Sequence, residues 1–169
     1  RPGTPLASPL HWHYTGEIRT SRGAPWLPIT AEQIVVPERG FVWKARVKKG
    51  PLSLTGADYY LDGDSRMRIA LFGLLPVVNA SGPDLSRSAL ARLVVESFAV
   101  PGSLLPGPNV QIEGVDESSF TATIDLPGEK TPLTVSVDQT GRVKAVTMPR
   151  WGNQTDDGSY RYIPYGATV

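Results

Sequence analysis

The chain contains no cysteine among its 169 residues. A disulfide framework and a thiolate metal site are therefore both excluded. The absence leaves the cellular compartment open, although it is compatible with an oxidising one. The chain also lacks a G-x-S-x-G nucleophile motif, a Walker loop and a dinucleotide-binding fingerprint. No recognised motif defines a reaction, and we expect no cofactor.

Long apolar runs and long runs of like charge are missing too. The longest apolar stretch, residues 69–78, is interrupted by Gly73 and Pro76 and is about half as long as a membrane span. No signal peptide is visible. The formal net charge is +1 and no RNP-like motif occurs, which argues against nucleic acid as a partner.

Proline and glycine, by contrast, are abundant, with 16 and 17 residues. They are scattered along the chain, which is typical of many short strands joined by turns. The length and the ordinary globular composition predict one domain over residues 1–169. Because the chain starts at Arg1 without a methionine, we expect it to be trimmed at one or both ends.

One stretch, residues 84–98, predicts an α-helix. Its apolar side chains recur at i, i+3, i+4 and i+8, so they form one stripe that has to dock on an apolar surface. The stripe consists of Leu90, Leu93, Val94 and Phe98.

The polar side chains of this helix give two further expectations. Asp84 or Ser86 is expected to cap the free N–H groups of the first turn. Arg92 and Glu96, at i and i+4, are expected to pair on a separate helix face that is turned away from the sheet.

Short alternating runs on both sides of the helix predict β-strands. They cover residues 11–19, 31–36, 40–47, 52–61 and 66–72 before the helix, and residues 110–115, 119–126, 133–137 and 143–148 after it. Such a chain can close into a barrel, stack two sheets, or keep a concave apolar face beneath the helix. We expect the third arrangement. The predicted fold class is α+β, mainly β: a curved antiparallel sheet, or half-barrel, with one principal helix packed on its concave face.

The two histidines of the chain, His11 and His13, fall on one face of the first predicted strand, and Glu17 lies further along it. Such a pair shares a zinc or iron ion only if a third ligand, here a carboxylate, comes from elsewhere. Solvent-facing histidines are the simpler interpretation. We therefore predict no metal site.

Three aspartates, Asp58, Asp62 and Asp64, surround a predicted hairpin turn. Their spacing does not match a calcium-binding loop, so turn-forming or capping aspartates are expected. Asp58 is also expected to form a partly buried ion pair with Arg66 or Arg92.

The densest basic patch is formed by Lys44, Arg46, Lys48 and Lys49. On a strand the first three share one face. A solvated strand face is the expected role, and a phosphate or membrane-surface site is the alternative.

Aromatic side chains are the clearest indication of a ligand site, because most of those in the first half of the chain fall on strands. Core packing is one interpretation, and an apolar cavity under the helix is the other. The residues predicted to line that cavity are Trp12, Trp26, Phe41, Trp43, Tyr59, Phe72, Leu90, Val94 and Phe98.

Several short motifs, taken together, are similar to those of an uncharacterised bacterial family of unknown function. That family has a G-F-x-W-x-A strand, a D-x-Y-x-x-G hairpin, an R-x-x-x-E helix followed by proline, and a late arginine-containing strand. Here these fall on Gly40, Phe41, Trp43 and Ala45, on Asp58, Tyr60 and Gly63, on Arg92, Glu96 and Pro101, and on Arg150. The match runs from about residue 10 to residue 152. One departure is Arg92-Leu93-Val94, where the family usually has Arg-Tyr-Leu.

The resemblance implies a shape similar to the lipoprotein-carrier (LolA- and LppX-like) half-barrels and a location in the bacterial cell envelope, with membrane association through segments outside residues 1–169. It transfers no catalytic residues. We therefore expect a non-catalytic binding module for a lipid or another apolar small molecule. One alternative is an enzyme that uses the same cavity, with Asp58, Arg92, Glu96 and the two histidines as candidate groups. The other is a structural domain of an envelope assembly.

Overall fold

The structure is a computed structural model that describes residues 8–19, 23–100, 102–126 and 129–169. The strands before the helix are β1 (Leu10–Ile18), β2 (Leu27–Val36), β3 (Gly40–Lys49), β4 (Leu52–Leu61), β5 (Asp64–Leu71) and β6 (Leu75–Ser81). The helix α1 (Pro83–Ser97) follows. The strands after it are β7 (Val110–Asp116), β8 (Ser119–Leu126), β9 (Glu129–Val137), β10 (Val143–Gly152) and β11 (Arg161–Thr168).

The described strands form two antiparallel sheets. The first contains β1 to β6 in chain order, and the second has the order β11-β10-β9-β8-β7. The fold class α+β, mainly β, with one principal helix is thus confirmed. The predicted strands are divided between two sheets, neither of which closes into a barrel in the described parts of the chain. Each strand pairs with its sequence neighbours, so the helix between β6 and β7 separates two local meanders.

The turn chemistry of the first sheet shows why its strands pair in register. Asp62 and Gly63 connect β4 to β5, and both have positive φ, at 48° and 100°. A two-residue turn of this kind matches the right-handed twist of the flanking strands. The predicted Asp-Gly hairpin is present, and its loop is two residues long. Arg39 Nη2 donates to Asp62 Oδ2 at 2.9 Å and holds the turn from the neighbouring strand connection.

The start of the helix differs from the sequence prediction. Gly82, with φ 122°, occupies the N-cap position and makes no side-chain cap. Asp84 Oδ1 instead accepts a hydrogen bond from Trp151 Nε1 at 2.8 Å, and Ser86 Oγ lies 3.2 Å from Ser65 Oγ. The predicted capping role of Asp84 or Ser86 was therefore wrong, because both side chains contact a sheet instead.

The helix is buried on more than one side. Ala89, Leu90 and Ala91 are consecutive and all buried, as are Leu93, Val94 and Val95 in the next turn. A helix that exposes only one face to the core cannot bury three consecutive residues, so α1 is covered from two directions. It contacts β10 and β9 of the second sheet as well as β2, β3, β4 and β5 of the first.

One large hydrophobic cluster joins the helix to both sheets. Its members from the first sheet are Val35, Phe41 and Tyr60, and those from the second include Ile124, Leu133, Val135, Val146 and Met148. The described part of the chain has no helix with the length and apolar character needed to cross a bilayer.

We expect Gly40→Ala to destabilise the first sheet. A Cβ atom at this position would lie 2.0 Å from the backbone oxygen of Tyr60 on the neighbouring strand. Because that atom is backbone, β3 and β4 would have to move apart, at a cost of about 1–3 kcal/mol in the free energy of unfolding. Urea denaturation measures the effect.

The control is Gly16→Ala on β1, where nothing lies within 4 Å of the added Cβ. It should change the free energy of unfolding by less than about 0.5 kcal/mol. Equal effects of the two substitutions would contradict the close approach at Gly40.

Candidate functional site

A buried ionic network lies between the helix and the first sheet. Arg92 Nε donates to Glu96 Oε1 at 2.7 Å, and Arg92 Nη1 donates to Asp58 Oδ2 at 2.8 Å. Arg92 Nη2 donates to Gln33 Oε1 at 3.2 Å, and the Gln33 amide in turn donates to Glu96. One guanidinium therefore joins α1 to β2 and β4.

The same guanidinium stacks on the aromatic side chains of β3. Its central carbon lies 4.5 Å from the ring centre of Phe41 and 5.3 Å from that of Trp43. The predicted ion pair of Asp58 with Arg92 and the predicted pairing of Arg92 with Glu96 are both present. The prediction that Arg92 and Glu96 face away from the sheet was wrong, because their contacts lie on the first sheet.

The burial of this network shifts the pKa values of its charged groups. Burial raises the pKa of Asp58, and the attraction of Arg92 is too small to reverse the effect. For Arg92, burial opposes the charge, but Glu96 and Asp58 outweigh it and raise the pKa. The guanidinium is thus favoured as a charge while the Asp58 carboxylate is not. Among the described residues, Asp58 Oδ1 is a buried oxygen without a hydrogen-bond partner.

A second arginine joins the helix to the other sheet. Arg150, on β10, donates from Nε to the backbone oxygen of Ser88 at 3.0 Å and from Nη2 to Ser88 Oγ at 3.1 Å. Its guanidinium also stacks 4.4 Å from the ring centre of Tyr165. Burial lowers the pKa of Arg150, and the nearby charge of Arg92 adds to this effect. The two arginines hold α1 from opposite sheets, which indicates a structural role for the network.

An open groove of about 570 Å³ lies on the opposite face of the first sheet. Gln33, Trp43 and Asp58 contact the helix residues, so their neighbours along each strand point the other way. The groove is lined by His13, Thr30, Glu32, Lys44, Arg46, Thr55, Ala57, Arg68, Ala70 and Gly73, together with Ala31, Ala45 and Gly56, which alternate onto the helix side of their strands.

The groove is built from rows of side chains that run across the strands. One row consists of His13, Glu32, Lys44, Ala57 and Arg68, which lie opposite one another in register from β1 to β5. The small residue Ala57, between Lys44 and Arg68, leaves space between their long side chains. Three cations and one carboxylate line the groove, so its charge favours an anionic group.

The hairpin at one end of the groove exposes apolar side chains. Phe72 is 53% exposed and Leu74 is 80% exposed, while Gly73 between them lines the groove. Phe72 has φ 53°, a left-handed conformation that a bulky residue adopts only at an energetic cost. The backbone thus holds an aromatic ring in solvent at the edge of the groove, where a ligand can contact it.

A second open cavity, of about 640 Å³, lies on the second sheet along β10 and β11. Its lining consists of Thr134, Ala145, Thr147, Met148, Pro149, Tyr162, Ile163, Pro164, Tyr165, Gly166, Ala167 and Thr168. No charged side chain is among these residues. The cavity offers apolar contact but little that would orient a ligand.

The nine side chains predicted to bind a ligand fall into three groups, and none of them lines either cavity. Six belong to the hydrophobic cluster around the helix or pack against it: Trp12, Phe41, Trp43, Leu90, Val94 and Phe98. Tyr59 and Phe72 lie on the groove side of the first sheet, where Tyr59 pairs across the strands with Val42 and Arg66. Trp26 is exposed ahead of β2, under the guanidinium of Arg19 at 4.9 Å. Their role as ligand contacts stays a prediction.

Sequence reasoning missed the groove because it followed the aromatic face of each strand. The opposite face of β3 contains Lys44 and Arg46, which the sequence does reveal as a basic patch. The small residues Thr55 and Ala57 on β4 complete the pattern. The signal in the sequence was a strand face with cationic side chains next to a strand face with small side chains.

These features define a two-sheet α+β protein with a central helix and an external cationic groove. The whole chain, residues 1–169, matches the model of a family described as "Family of unknown function (DUF6920)", and the chain belongs to that family. The expectation of an uncharacterised family is thereby confirmed. No curated protein and no solved structure matches the chain significantly.

We expect Asp58→Asn to change the pH dependence of stability in one direction. The raised pKa of Asp58 means that the folded protein holds this proton more tightly than the unfolded chain does. The contribution of Asp58 to stability is then fully present below its unfolded pKa of about 4 and is lost as pH rises through the folded pKa. The free energy of unfolding of the wild type, minus that of the variant, should fall with rising pH over this range.

Urea denaturation of both proteins at a series of pH values measures this difference. The pH effects of the titratable groups that both proteins contain cancel in the subtraction. A difference that rises with pH would contradict the prediction. It would mean that the attraction of Arg92 lowers the pKa of Asp58 more than burial raises it.

Proposed function

We propose that this protein is a non-catalytic binding module for a lipid-like amphiphile that has an anionic group. The ligand binds in the groove on the outer face of the first sheet. The single observation behind this proposal is the groove itself, in which a cationic row lies next to an exposed apolar hairpin. Its volume falls within the range of about 300–1,000 Å³ that is usual for small-molecule sites.

The charged end of the ligand is assigned to the centre of the groove. Lys44, Arg46 and Arg68 come from β3 and β5, and the small side chains of β4 lie between them. Guanidinium groups bind carboxylates and phosphates through two parallel hydrogen bonds, and the lysine adds a point charge. An anionic head group placed over Ala57 is therefore within reach of cations on both sides.

The apolar end of the ligand is assigned to the hairpin between β5 and β6. Phe72 and Leu74, on either side of the groove residue Gly73, are both more than half exposed. Neighbouring exposed apolar side chains of this kind are typical of binding sites on protein surfaces. A hydrocarbon chain that leaves the groove past Gly73 would cover them.

The proposal includes the envelope location and the likeness to lipoprotein carriers that the sequence motifs imply. In those half-barrels the ligand is expected on the concave side beneath the helix. Here α1 and its cluster of buried side chains occupy that side of the first sheet. The groove on the opposite face is therefore the site at which a carrier function would operate.

A second candidate function is an enzyme that uses the same groove. It is favoured by one observation: His11 Nε2 and Glu32 Oε1 are 3.0 Å apart beside the groove. A histidine and a carboxylate within hydrogen-bond reach are a common acid–base pair. Turnover of an amphiphilic ester by the wild type, abolished in His11→Ala, would favour this function over simple binding.

We expect the double variant Lys44→Gln/Arg68→Gln to bind an anionic amphiphile at least about tenfold more weakly, because each lost charge-assisted hydrogen bond is worth about 1.5–3 kcal/mol. Oleate and oleyl alcohol are the probes, since they share one hydrocarbon chain and differ in the charge. Titration calorimetry should show weaker binding of oleate and unchanged binding of oleyl alcohol.

The matched control is Arg142→Gln/Lys144→Gln, which removes two exposed cations, one in the turn before β10 and one on β10. It should bind oleate like the wild type. Equal loss in both double variants, or no binding of either probe by the wild type, would overturn the proposed function.

Phe72→Gly should separate ligand binding from stability. Glycine relieves the left-handed strain at this position but raises the entropy of the unfolded chain, so the free energy of unfolding should stay constant or rise by up to about 1 kcal/mol. Loss of the exposed ring should weaken the binding of both oleate and oleyl alcohol.

Glu38→Gly is the control, because Glu38 also has positive φ, at 63°, and lies in the turn between β2 and β3. This variant should retain full affinity for both probes. If Phe72→Gly also retains it, the hairpin is not part of the ligand site.

A further inference from the structure

Three potential metal ligands meet at the edge of the first sheet. The donor atoms of His11, His13 and Glu32 all lie within 4.8 Å of one another. His11 Nε2 and Glu32 Oε1 are 3.0 Å apart, and the two imidazole ring centres are 4.3 Å apart. These are the only histidines in the chain.

Strand geometry explains why the three residues converge. His11 and His13 are two positions apart on β1, so their side chains leave the same face. Glu32 on β2 lies directly opposite His13 in the antiparallel register. The carboxylate that the sequence pattern suggests, Glu17, is four residues beyond His13 and pairs with Pro28 instead. The third ligand therefore comes from the neighbouring strand and not from β1.

We propose that His11, His13 and Glu32 bind a divalent transition-metal cation, with zinc as the chemically best match. Two imidazoles and one carboxylate form a donor set that suits zinc, and three protein ligands leave at least one coordination position open. Tetrahedral bonds of about 2.0–2.1 Å place donor atoms about 3.4 Å apart. His11 Nε2 and Glu32 Oε1 are 3.0 Å apart, which is close to this value, and all the donor atoms lie within 4.8 Å of one another.

The surroundings permit the small adjustment that coordination requires. The side chains of His11 and Glu32 are 48% and 45% exposed, so rotation meets little resistance from packing. The existing hydrogen bond between them is at the surface and contributes little to stability. Its replacement by metal bonds therefore costs little free energy.

The three residues lie at the edge of the groove, since His13 and Glu32 both line it. A bound cation would therefore contribute positive charge at one end of the row that contains Lys44 and Arg68. Metal binding does not require the proposed amphiphile, so each proposal can fail while the other holds.

The test is a calorimetric titration of the untagged protein with zinc chloride, followed by cobalt(II) binding observed through its visible absorption. We expect one equivalent of each metal to bind with saturation. His13→Ala and Glu32→Gln should each weaken zinc binding by at least about tenfold, in line with the loss of a coordinating group. Circular dichroism of these surface variants confirms that the fold is retained.

Glu17→Gln is the matched control, because it removes the carboxylate on the same strand that lies outside the cluster. It should bind zinc like the wild type. Imidazole resonances in the NMR spectrum of the wild type should shift with zinc at one equivalent, and no other histidine can produce that signal. Unshifted imidazole resonances, or zinc binding that survives His13→Ala, would overturn the proposal.

Discussion

The position of the helix depends on one buried guanidinium. Arg92 binds Glu96 on its own helix, Asp58 on β4 and Gln33 on β2, and it stacks on the ring of Phe41. A lysine could not replace it, because these contacts need several donors in one fixed plane. Removing one partner of such a pair leaves an uncompensated buried charge, at a cost of about 3–5 kcal/mol. This side chain therefore joins the helix to two strands of the first sheet.

The same constraint determines which faces of the protein are open to ligands. Alternation along β2, β3 and β4 assigns Gln33, Trp43 and Asp58 to the helix side. It therefore assigns their neighbours, among them Glu32 and Lys44, to the groove. A one-residue shift of any strand would exchange the two sets and lose both the network and the groove. The buried ionic network and the groove both result from the same strand register.

The sequence was sufficient for features encoded within one strand or one helix. The helix bounds and the Asp62-Gly63 hairpin follow from local pattern, whereas charge alone left both Arg66 and Arg92 as partners of Asp58. The convergence of Glu32 with His11 and His13 does not follow from local pattern, because it depends on which residues of two strands face each other. The second covered side of the helix was missed for another reason. Ala89 and Ala91 add too little apolar character to widen the predicted stripe, although their small size is what allows sheets to approach from two directions.

The electrostatics of the groove connect its two proposed ligands. Without metal, Glu32 is the one carboxylate in a lining that also contains Lys44, Arg46 and Arg68. A divalent cation on Glu32 would neutralise that carboxylate and add a further positive charge at the same end of the row. Charges this close to one another interact across less than a screening length of about 8–10 Å, so solvent salt does not remove the effect. Metal and an anionic head group should therefore strengthen each other's binding, and by linkage the gain in affinity must be the same in both directions.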